Sequence, residues 1–401
     1  MQSIQIVKKL TGGDIGCLSL GIIHNYAEKI KQKRSAVLNQ EFLLLQAITI
    51  VIVVVGHGKR GGINLFFDWF MPGSFHMPLF MFISGYFYKT ASEQNILQFI
   101  WKKCKALIFP YFVWNLLYGV FVNLLLSNHL VTFPKPLSFR TMFVDPWLAG
   151  THFGFNVGGW FVLSLFLVEV AYLLLRKLRS LLHWNEEWLF GLFLLCCGVG
   201  AIFFANTGYN RGVFLPFIKM VFFLPVFHFG YLYREKIEPR EKLPNWIYFA
   251  AIFAIQLVLL KLYAPLSFGA YNATFSHENI LLPYLTSFTG GLFWLRVSKI
   301  LARALKGNRI VRYIGQNTWS IMMHHPISFF AINCLLWGLS GPLNLSGFNL
   351  QAFQTDIWYA YSPGLPQLAI VYVVAGVALP LLVKYGVEKV VLFADKRFYF
   401  K

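Results

Sequence analysis

Ala47-Ile48-Thr49-Ile50-Val51-Ile52-Val53-Val54-Val55-Gly56-His57 and Ser74-Phe75-His76-Met77-Pro78-Leu79-Phe80-Met81-Phe82-Ile83-Ser84-Gly85-Tyr86 stand on either side of a short polar turn. Each reads as a membrane-crossing helix that carries a histidine. Ionisable groups at membrane depth are costly and are kept for a pathway or a reaction, so His57 and His76 are the first functional candidates.

The rest of the chain follows the same pattern. With 57% hydrophobic and 13% charged residues, its 401 residues exclude an ordinary soluble globule. Apolar runs near 42–60, 74–90, 106–127, 158–176, 188–205, 213–233, 245–264, 280–297, 313–338 and 367–393 predict an all-α, polytopic integral membrane protein of about ten transmembrane helices. The formal charge of +19 does not point to nucleic acid, because the basic residues form short clusters between apolar runs. Cys17, Cys104, Cys196, Cys197 and Cys334 are scattered without metal-ligand spacing, so neither a metal site nor a disulfide framework is expected.

Charge sets the expected orientation. Basic residues cluster in the N-terminal tail, at Lys89 to Lys105, Arg176 to Arg179, Arg234 to Lys242, Arg296 to Arg312 and Lys384 to Lys401. The alternate loops hold only Lys59, Arg60, Lys135, Arg140 and Arg211, a bias that predicts both termini on the cytoplasmic side of the cell's inner or plasma membrane. Residues 1–35 read as a cytoplasmic or membrane-surface tail without a cleavable signal peptide, and 36–401 as one membrane domain. The oligomeric state is left open, a homo-oligomer included.

Depth follows from helix rise. At about 1.5 Å per residue His57 lies roughly 22 Å above Phe42, in the outer half, and His76 sits near the outer start of its inward-running helix. His324 lies about 16 Å up the ninth span from Tyr313, so the three imidazoles are expected to converge. Imidazole takes and returns a proton near neutral pH. At the opposite end Lys102 and Lys105, three apart on a helix entering from the cytoplasm, suit phosphate oxygens as well as ordinary membrane anchoring. The loops 128–157 and 339–366 mix aromatics with amides and carboxylates. That composition suits a sugar, although tryptophan and tyrosine also belt any membrane interface.

Taken in order, Gly56-His57, Phe75-His76-Met77-Pro78 through Ser84-Gly85-Tyr86, the basic pair before Pro110-Tyr111, Gly159-Trp160-Phe161, Phe222-Phe223-Leu224-Pro225 with Gly230-Tyr231, and Ile314-Gly315-Gln316-Asn317-Thr318-Trp319-Ser320-Ile321-Met322-Met323-His324 resemble the membrane acyltransferase 3 family, in particular its fucose 4-O-acetylase-like branch. The resemblance runs from about residue 40 to 390. It implies an integral-membrane O-acetyltransferase that takes acetyl groups from cytoplasmic acetyl-CoA and places them on a hydroxyl of a cell-surface glycan or glycolipid.

On that resemblance His57 is the general base or the carrier of an acetyl intermediate, and His76, Trp160 and His324 line the reaction chamber. Lys102 and Lys105 hold the donor's phosphates, and Asp68 meets acceptor hydroxyls. Gln46 stands eleven residues before His57, where the family carries a basic residue at the donor site. No metal is implied. Two other readings remain at this stage: a glycan or lipid-linked sugar transporter with His57, Lys219 and Glu169 along its pathway, and a non-catalytic homologue that binds acyl donor.

Overall fold

The computed structural model describes residues 39–58, 68–150, 153–276, 279–342, 345, 347–361 and 368–399. The N-terminal tail, Lys59, Arg60 and His152 lie outside the described residues. Among the described residues the chain is helical throughout, with no strand.

The long helices are α1 (Gln40–His57), α2 (Pro72–Tyr86), α3 (Ile96–Ser127), α4 (Gly159–Leu181), α5 (Glu187–Phe204), α6 (Phe214–Leu232), α7 (Asn245–Tyr263), α8 (Leu282–Ala304), α9 (Thr318–Ser340) and α10 (Leu368–Tyr399). Each apolar run found in the sequence falls on one of them. Six helical stretches, those beginning with α1, α3, α5, α6, α7 and α10, are long and apolar enough to cross a membrane. The protein is a multi-pass membrane protein.

Burial sorts these helices. α6 is 72% buried and α7 only 17%, so α6 belongs to the centre of the bundle and α7 turns most of its apolar surface outward, to lipid. α2 and α6 touch backbone to backbone. A Cβ on Gly85 would fall 1.8 Å from the Phe227 carbonyl oxygen, and one on Gly230 would fall 2.0 Å from that of Phe82. Only glycine permits this crossing, the small-residue packing that lets membrane helices approach.

Prolines open the helical hydrogen-bond ladder, and side chains refill it. Pro78 has no N–H to give the Ser74 carbonyl, and the α8 hydroxyls of Thr286 and Ser287 reach that oxygen at 3.3 Å each. Asn39 caps α1 by accepting from the N–H groups of Glu41 and Phe42, at 3.0 and 3.2 Å.

Charge gathers at one end of the bundle. Arg176 meets Glu93 at 2.5 Å, Arg179 meets Glu187 at 2.6 Å, Arg296 meets Glu241 at 2.5 Å and Lys299 meets Glu238 at 2.7 Å. We call this the lysine face, and the opposite end the His57 face.

Candidate active site

The His57 face holds a cavity of about 440 Å³. His57 at the end of α1, Trp160 at the start of α4 and Tyr271 form one side. Lys135 from one long loop and Asp356 and Trp358 from the other complete the lining. The two loops are joined to each other, since Thr132 N donates to Gln354 O at 2.8 Å. Buried Asn115 in α3 accepts from Asn156 at 2.9 Å and donates to the Met142 carbonyl at 2.9 Å, which fastens the first loop to the bundle. Asp145 is held by Lys135 at 3.1 Å and Arg140 at 3.0 Å. Burial raises the Asp145 carboxyl, but hydrogen bonds and charge from Arg140 and Lys135 outweigh it and hold the group below its ordinary value.

His57 Nδ1 lies 2.9 Å from His325 Nε2, with the two rings nearly parallel. The partners of His325 fix who donates. Its Nδ1 lies 2.9 Å from the Met322 carbonyl and 3.1 Å from that of Ile321, and carbonyls only accept, so Nδ1 carries the hydrogen. Neutral His325 therefore presents a bare Nε2, and His57 Nδ1 donates to it. The lone pair of His57 is left on Nε2, in the tautomer a base requires. His76 is held in the same way, with Nδ1 donating to the Pro72 carbonyl. The indole of Trp358 covers the His57 ring at 4.8 Å between centroids.

The lysine face holds a second cavity, of about 430 Å³. Lys89, Lys102 and Lys103 line it together with Gln46, Ser84 and Glu169. Glu169 is buried. One of its oxygens accepts from Lys103 at 2.5 Å, and the other has no hydrogen-bond partner among the described residues.

α4 contributes to both cavities, with Trp160 in the first and Glu169 in the second, and Phe161 lies between these two along the helix. Phe80 of α2 and Phe223 of α6 pack against it. Phe80 packs on Phe161 at 5.9 Å and Phe161 on Phe223 at 6.4 Å between centroids, forming an aromatic layer. Lys219 is buried above it, with its ammonium 5.2 Å from the Trp160 ring centre.

Of the residues singled out from sequence, His57 and Trp160 meet in the first cavity, and Gln46 and Lys102 in the second. His76, expected to line the same chamber, lines neither cavity: its ring is turned back to the Pro72 carbonyl of its own helix. Three further expectations are corrected. His324 does not line the His57 cavity: it points the other way, into an apolar cavity of about 400 Å³ between α3, α9 and α10, where its Nδ1 pairs with the Tyr118 hydroxyl at 2.7 Å. Its neighbour His325 takes the place by His57, because one residue turns a helix by about 100°. Lys105 stacks on Trp101 at 4.7 Å, away from the cavity, because a wide helical turn over Cys104–Ile108 breaks the three-residue spacing and leaves Lys103 to join Lys102. Asp68 is exposed in a turn with φ of 71° and lines neither cavity; the next residues, Trp69 and Phe70, pack on Phe253 of α7.

His325 was the residue missed, and one signal for it was present. Pro326 follows it and has no N–H for the Met322 carbonyl, so that oxygen is available to a side chain one residue earlier.

A multi-pass helical bundle with an oriented histidine facing one polar cavity and lysines facing another is the framework of a membrane group-transfer protein. The chain belongs to the acyltransferase 3 family, whose acyltransferase domain matches residues 39–387. No curated protein and no solved structure is significantly similar to it.

Proposed function

We propose that the protein is an O-acetyltransferase that moves an acetyl group from cytoplasmic acetyl-CoA to a hydroxyl of a cell-surface glycan or glycolipid. The reading places all ten long helices across the cell's inner or plasma membrane, both termini and the lysine face in the cytoplasm, and the His57 face outside. The clustering of lysine and arginine at one face supports that orientation.

The observation that carries the chemistry is the His57 and His325 pair. A sugar hydroxyl is a weak nucleophile. With His57 Nε2 taking its proton, the oxygen attacks the thioester carbonyl carbon, the tetrahedral intermediate collapses, and the coenzyme thiolate leaves and recovers the proton. Trp358, Trp160 and Tyr271 offer ring faces and Asp356 a carboxylate, a lining suited to a sugar. Lys89, Lys102 and Lys103 supply charge for the donor's phosphates. For the thioester to reach His57, the layer of Phe80, Phe161 and Phe223 must part.

The test is the ester-linked acetate released by mild alkali from purified surface polysaccharide, in a deletion strain complemented with wild type or with His57→Ala at equal membrane abundance. Wild type is expected to restore the acetate and His57→Ala to lower the transfer rate about 10²- to 10⁴-fold, the usual share of a general base. Restoration by both removes His57 from the reaction; restoration by neither removes acetylation of that polymer.

A further inference from the structure

Glu169 is the one carboxylate lining the lysine-face cavity among the described residues. It is 5% exposed, and its Oε1 accepts from Lys103 at 2.5 Å. Its Oε2 has no partner among the described residues. A buried carboxylate oxygen without a donor is costly, more so than a neutral group, and a native site that keeps one is built for something that arrives with an N–H or O–H. The other polar groups of the cavity restrict what arrives. Lys89 and Lys102 attract an anion, and the Lys103 ammonium is already engaged by Glu169. The ligand must therefore carry negative charge at one end and a hydrogen-bond donor along its length.

We infer that Glu169 holds the arm of the acyl donor, its Oε2 accepting the N–H of an amide in that arm while Lys102 and Lys89 meet the phosphates. The inference rests on the donor reading given above. It makes Glu169 a positioning residue that separates donors with an amide-bearing arm from nucleotides or acyl phosphates without one. The Lys103 pair holds the carboxylate in the wall of the cavity that Glu169 lines. Gln46 and Ser84 add neutral polar groups to the same wall.

The experiment measures binding of coenzyme A, and of adenosine 3′,5′-bisphosphate, which has phosphates but no arm, to full-length protein purified in detergent. In Glu169→Gln the one remaining acceptor goes to Lys103 and an N–H meets the arm's own N–H. The variant is expected to weaken coenzyme A binding about tenfold while leaving the bisphosphate within about twofold. Unchanged coenzyme A binding overturns the inference, as does an equal loss for both ligands, which would make Glu169 act through the lysines alone. On wild type, coenzyme A must bind at least about tenfold tighter than the bisphosphate, a comparison that holds even if the variant is unstable. If wild type binds neither ligand, the donor reading fails and this inference with it. If wild type binds both and the variant changes neither, only the role of Glu169 falls.

Discussion

His325 takes its orientation from Pro326. The proline leaves the Met322 carbonyl without its helical N–H, and His325 Nδ1 donates to that oxygen at 2.9 Å, which turns a bare Nε2 toward His57. The tautomer of His57 is set, through His325, by a backbone carbonyl, where a carboxylate orients the histidine of the serine hydrolases.

Substitutions at His325 separate orientation from bulk. His325→Phe fills the space without an acceptor, so His57 loses its tautomer; turnover is expected to fall about tenfold or more, with donor KM unchanged. His325→Gln offers a carbonyl oxygen and recovers part of the loss. Steady-state kinetics on purified protein read the difference, and equal activity of the two variants would remove the hydrogen bond from the account.

The lysine face predicts an unequal response from neighbouring lysines. Lys102→Ala raises the donor KM about tenfold through lost contacts to charged oxygens, and Lys105→Ala, stacked on Trp101 outside the cavity, leaves it within about twofold. The measurement is KM for acetyl-CoA at fixed acceptor.

Trp358→Ala removes a ring that covers His57 and lines its cavity, where the proposed function puts the acceptor. Loss of one aromatic contact raises acceptor KM about three- to tenfold, and Trp358→Phe recovers most of it. A change in donor KM instead would place Trp358 on the other substrate.

Helix packing is tested at glycines. Gly85→Ala drives a methyl into the Phe227 carbonyl and costs about 2 kcal/mol or more, whereas Gly338→Ala meets nothing within 4 Å and is neutral or stabilising. Thermal unfolding in detergent compares the two.

Asp145 gives a pH signature. Its carboxyl is held below the ordinary value, so folding binds fewer protons there than the unfolded chain does, and the stabilisation is present above the unfolded pKa of about 3.9. It is lost as pH falls through the lower, folded value. Wild type is therefore more stable than Asp145→Asn near neutral pH, by a small amount because Lys135 and Arg140 are exposed, and the gap closes on acidification. A gap that widens in acid contradicts the pairing.

The helices were legible because each is an apolar run longer than a soluble core needs; the meeting of the two long loops was not, since their mixture of rings and amides does not say which segment each one touches. Rotation about a helix axis was not legible. α9 is apolar all round, so nothing in its pattern says whether His324 or His325 faces α1; the partner carbonyl freed by Pro326 decides it. The spacing of Lys102 and Lys105 assumed a regular helix, and the wide turn at Cys104–Ile108 moved Lys105 away. Asp68 was placed by position along the chain alone, and the direction of its turn is set by Trp69 and Phe70 seeking apolar partners.

The phenylalanine layer has a consequence for the cell as a whole. A passage joining the two cavities would let protons and sodium run down the gradient across the membrane, about 2.3 kcal/mol for each charge per 100 mV. Phe80, Phe161 and Phe223 pack against one another with side chains that carry no charge and bind no ion, which is what a seal on the proposed passage requires. On the proposed function, a donor arm that parts them would fill the opening it makes, and acetyl groups would cross with the electrical insulation of the membrane kept.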